Sequence, residues 1–135
     1  MISLIQQMYM IPTFTEGILS ATNPTLVKIP KDENMVFQFQ YVLSLLRESE
    51  KPYINPKNFV KCMKNADNKP INVFEQMDAD EFFNMFMDRL EFSLKGSNRE
   101  KIIKEHFGGE FANQLICKDC PHFSNSVEPY LTVSL

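Results

Sequence analysis

The apolar residues of this chain change their spacing near Gly108-Gly109. Before that pair they recur every three to four positions, as on one face of a helix. After it they alternate, as on one face of a strand. A sequence with this switch makes helices first and strands last, an α+β order.

The best-defined helix is predicted from about Asp78 to Lys95. Ala79, Phe82, Phe83, Phe86, Leu90 and Leu94 share one face and Asp80, Asn84, Asp88, Glu91 and Lys95 the other, with Gly96 as the stop. Residues 2–10 are helix-compatible, and Thr13 is a candidate cap for a short helix to Leu19. Asn23-Pro24 and Ile29-Pro30 bracket an extended connector. Asp32 or Asn34 then caps a helix to about Arg47, with Val36, Phe39, Val42, Leu43 and Leu46 inward. Pro56 suits the first turn of a helix that points Phe59, Val60 and Met63 inward. Lys64–Pro70 reads as a polar loop, and one more helix spans about Arg99–His106. Phe111–Ile116 and Val127–Leu135 read as strands joined by a turn at Cys117–Phe123, with the second strand half-buried. A lone pair of strands is marginal in water, so the chain is expected to be a truncated piece.

A length of 135 residues suits one domain, and 44% hydrophobic with 23% charged residues suits a globular one. Twelve Phe and eight Met against only four Gly favour helices over a many-turned β fold. The net charge of -3, without a basic stripe, argues against nucleic acid as a partner. No apolar run is long enough to span a membrane, and the start lacks a signal core. Three cysteines are too few for a disulfide scaffold, which favours a reducing cytoplasmic or nuclear setting.

Two local constellations carry chemistry. Cys117-Lys118-Asp119-Cys120 places two thiols on a tight turn, which fits half of a tetrahedral zinc site, a metal-free hairpin turn or a redox dithiol. No second C-x-x-C is present, and Cys62 and His106 lie far along the chain. Asp78 and Glu81 stand three residues apart at a helix start. That spacing makes a capping box, and equally an acidic pair able to hold a basic peptide. Cys62 reads as a small packed residue and His106 as a helix-end cation. No nucleophile stands beside a base, and no phosphate-binding glycine loop is present.

Four stretches, in order, resemble the catalytic domain of ubiquitin-specific proteases, the cysteine deubiquitinases. Ser3-Leu4-Ile5-Gln6-Gln7-Met8-Tyr9-Met10 resembles the helix after the nucleophile in the family's N-T-C-Y-M-N-S-x-x-Q-x-L pattern. Gln76-Met77-Asp78-Ala79-Asp80-Glu81-Phe82-Phe83 resembles its Q-Q-D-A-x-E-F-x box, with Met77 replacing the usual Gln or His. Ile103 to Cys120 resembles the run into the fingers region, and Glu128-Pro129-Tyr130-Leu131-Thr132-Val133-Ser134-Leu135 the E-P-F-x-x-L-S-L strand after it.

The resemblance implies a papain-like fold, with residues 1–106 as a helical thumb-like part and 107–135 as the start of the β fingers. The implied reaction is thiol attack on the carbonyl at ubiquitin's C-terminal glycine. Ubiquitin and ubiquitinated proteins are the implied partners, Gln76, Asp78 and Glu81 the substrate-binding residues, and Cys117 and Cys120 two ligands of a structural zinc. Ile2 stands where Asn is usual, and alignment on Ser3 puts the family's catalytic Cys two positions before Met1. The catalytic His and the second C-x-x-C are expected beyond Leu135. No catalytic residue is therefore expected here, and the chain alone is predicted inactive. A non-catalytic ubiquitin-binding module and a helical scaffold protein are the alternatives.

Overall fold

The computed structural model describes residues 2–24, 28–64, 69, 71–72 and 76–133. In chain order the elements are α1 (Ile2–Tyr9), α2 (Pro12–Leu19), α3 (Met35–Glu48), α4 (Lys57–Cys62), α5 (Ala79–Leu94), α6 (Ile102–Phe107), β1 (Gly109–Ile116) and β2 (Phe123–Tyr130). The α+β order expected from the spacing is the order observed. The predicted polar loop at Lys64–Pro70 lies mostly outside the described residues.

Local chemistry accounts for most helix ends. The Asn34 side chain accepts the Phe37 N–H at the start of α3, so the cap is Asn34 rather than Asp32. α2 starts at Pro12, not at a Thr13 cap. Proline's fixed φ suits the first helical turn, and the preceding Ile11 makes no side-chain cap. The Thr13 hydroxyl instead lies 3.1 Å from His106 Nε2. Pro56 takes the cap position of α4 rather than its first turn. Gly96 has a φ of 74°, the left-handed conformation that closes the turn after α5 at little cost only for glycine. Gly108, at the end of α6, has an ordinary extended φ of -73°.

The core lies among the helices. Phe39 of α3, Phe59 of α4 and Phe86 of α5 meet at centroid distances of 5.2–6.1 Å, with Phe39 edge-on to Phe86. α5 buries Phe82, Phe86, Met87, Leu90 and Leu94; Ala79, assigned to that stripe, is exposed at the helix start, and Met87 takes a buried place instead. Val60 is only half-buried, although its neighbours Phe59 and Met63 are sealed in as expected. Phe14 and Phe83 both pack edge-on against Phe107, which ties α2 and α5 to α6.

β1 and β2 form an antiparallel pair running from Gly109↔Tyr130 to Ile116↔Phe123. The second strand therefore begins and ends earlier than the predicted Val127–Leu135. Once the turn fixes Ile116 opposite Phe123, every later pair follows, and β1 runs out at Gly109. Ser134 and Leu135 lie outside the described residues. Nor is the hairpin half-buried: apart from Gly109 and Tyr130 at its root, both strands are exposed along their length. The alternation that suggested burial belongs to Leu131 and Val133, which follow the strand, and Leu131 packs on the core.

Candidate functional site

Asp78 is the cap of α5. Its Oδ1 accepts the N–H groups of Asp80 at 2.8 Å and Glu81 at 3.3 Å. Among the described residues Oδ2 has no hydrogen bond, and no bond returns from the Glu81 carboxylate to the Asp78 N–H. Half of the predicted capping box is thus formed, and the carboxylates of Asp78, Asp80 and Glu81 stand exposed on one helix turn. All three lie at the start of α5, where the helix dipole presents its positive end. Gln76, two residues before the cap, is exposed as well. The glutamine-box residues therefore form a solvent-facing acidic edge rather than an enclosed pocket.

The turn between β1 and β2 carries the two thiols. Cys117 donates its N–H to the His122 carbonyl at 3.1 Å, which continues the ladder and closes the turn. Hydrogen bonds from the Asp119 backbone N–H first, then from the side chain and backbone of Cys120, hold the Cys117 thiol below its usual pKa. Cys117, Cys120 and His122 border one shallow hollow of about 360 Å³ with Gln114, Ile116, Pro121 and Phe123. Two thiols side by side on one turn fit two corners of a tetrahedral zinc shell. Among the described residues no group of three or more His, Cys, Asp and Glu is arranged to hold a metal. The turn thus brings two thiols together, and the described residues offer no larger cluster of candidate ligands around them.

Cys62 is far from both places. Its thiol donates to the Asp32 carbonyl at 2.8 Å, and burial, then the charges of Asp32 and Glu33, push its pKa up. His106 has Nδ1 2.9 Å from the Ile102 carbonyl and Nε2 3.1 Å from the Thr13 hydroxyl. Both ring nitrogens are engaged, Nδ1 within α6 and Nε2 across to α2, so His106 serves as no base for Cys62.

Two features of the surface escaped the sequence reading. A cavity of about 630 Å³ opens at the root of the hairpin, between Glu91 of α5, Lys104 of α6 and Gly108–Glu110 with Pro129–Leu131. The Thr132 hydroxyl reaches Asn84 Oδ1 at 3.5 Å, tying the segment after β2 to the polar face of α5. Neither carries a local signal, because each joins residues far apart in the chain.

The chain matches the family described as "Ubiquitin carboxyl-terminal hydrolase" over residues 1–129. It belongs to that family. Among curated relatives it is 38% identical over 133 residues to mouse "Ubiquitin carboxyl-terminal hydrolase 24", and 37% identical to the human protein of the same name. To human "Ubiquitin carboxyl-terminal hydrolase 34" it is 31% identical over 131 residues. These alignments cover 97–98% of this chain but only 4–5% of the relatives' own length. The helical part with its trailing antiparallel hairpin is consistent with a portion of that family's catalytic fold.

Proposed function

We propose that this chain supplies the ubiquitin-tail-recognising part of a deubiquitinating cysteine protease, one that hydrolyses the bond after ubiquitin's C-terminal glycine. Family membership supports the reaction class. The observation that carries the binding role is the division of labour at Asp78, where capping engages Oδ1 and leaves Oδ2 without a hydrogen bond among the described residues, on the same exposed turn as Glu81. Ubiquitin's extended tail carries arginines, and carboxylates make shorter and stronger bonds to guanidinium than neutral acceptors do. Gln76 adds a neutral donor and acceptor at the same edge.

Thiol chemistry belongs to the complete catalytic domain in this proposal, and the chain alone is inactive. Cys62 is held neutral against a carbonyl, and Cys117 and Cys120 sit on an exposed turn that no element encloses. Zinc, when bound, would supply a structural cross-link, with Cys117 and Cys120 as two of its ligands. From these two alone we expect loose binding that mild chelation reverses, since a structural site gains its energy from a closed shell. Three free thiols suit a reducing cytoplasmic or nuclear compartment.

The test titrates the chain with ubiquitin and with ubiquitin lacking its C-terminal tail, following backbone amide shifts. Binding that perturbs Asp78–Glu81 and needs the tail is the expected result. Equal binding of both, or shifts confined to other segments, would refute the assignment.

A further inference from the structure

We draw no further inference here: the strongest candidate, the cavity at the hairpin root between Glu91 of α5, Lys104 of α6 and Tyr130 of β2, is an open hollow of about 630 Å³, and nothing in the structure shows what covers it.

Discussion

At Asp78 one carboxylate oxygen takes the N–H groups of Asp80 and Glu81, and the other has no hydrogen bond among the described residues. Asp78→Asn separates the two tasks, because Asn caps about as well as Asp but lacks the charge. We expect an unchanged melting temperature and a several-fold loss of ubiquitin affinity in the same titration. A fall in stability with normal binding would make Asp78 a cap and nothing more. The cysteines differ in the opposite sense. The pKa of Cys62 is raised, so its thiol stays protonated through neutral pH and yields thiolate only as pH climbs past its usual range. The pKa of Cys117 is lowered, so its thiolate is present at lower pH. Iodoacetamide at neutral pH should label Cys117 well before Cys62, with Cys62 catching up only in alkali, as peptide mapping would show. Early labelling of Cys62 would contradict its burial against Asp32.

Between elements, small residues and single side chains do the fitting. A Cβ on Gly17 of α2 would collide with the buried Ile102 side chain of α6. In an exposed helix Gly→Ala gains about 1 kcal/mol, whereas overpacking a filled core costs about 1–3 kcal/mol. The net expectation for Gly17→Ala is a loss of up to about 2 kcal/mol, measurable by urea denaturation. An unchanged midpoint would mean that Ile102 swings aside freely. Gln40 of α3 works at the next junction, where its Nε2 donates to the carbonyls of Ile18 and Ala21, both at 2.8 Å, and so satisfies the end of α2. At the end of α1 the Thr15 hydroxyl does the same for the Tyr9 carbonyl at 3.1 Å.

For the whole molecule, a closed helical core carries an exposed hairpin. The sulfur of Cys62 and the ring of His106 are each committed to backbone or hydroxyl partners. The chain alone should release no fluorophore from a ubiquitin C-terminal amide, and an electrophile placed at ubiquitin's C-terminus should leave Cys62 unmodified. Labelling of Cys62 that Cys62→Ala abolishes would show that a nucleophile had been overlooked.

The sequence by itself determined the order of elements, most of the buried stripe of α5, the cap at Asp78 and the stop at Gly96, and it narrowed the cap of α3 to Asp32 or Asn34. These depend on periodicity and on side chains that bond their own backbone neighbours, so the information lies within a few residues. Motif order also made the family legible, because Gln76–Phe83 and Glu128–Leu131 are local strings. Tertiary structure alone decided the extent of β2, since pairing with β1 outranks the alternation of Leu131 and Val133. It likewise decided which half of the capping box forms, and that Thr13 holds His106 rather than a helix end. Which residues of β1 turn their donors away from β2 was decided at the same level, because it depends on which residues bond to the neighbouring strand, and no single strand carries that in its own sequence.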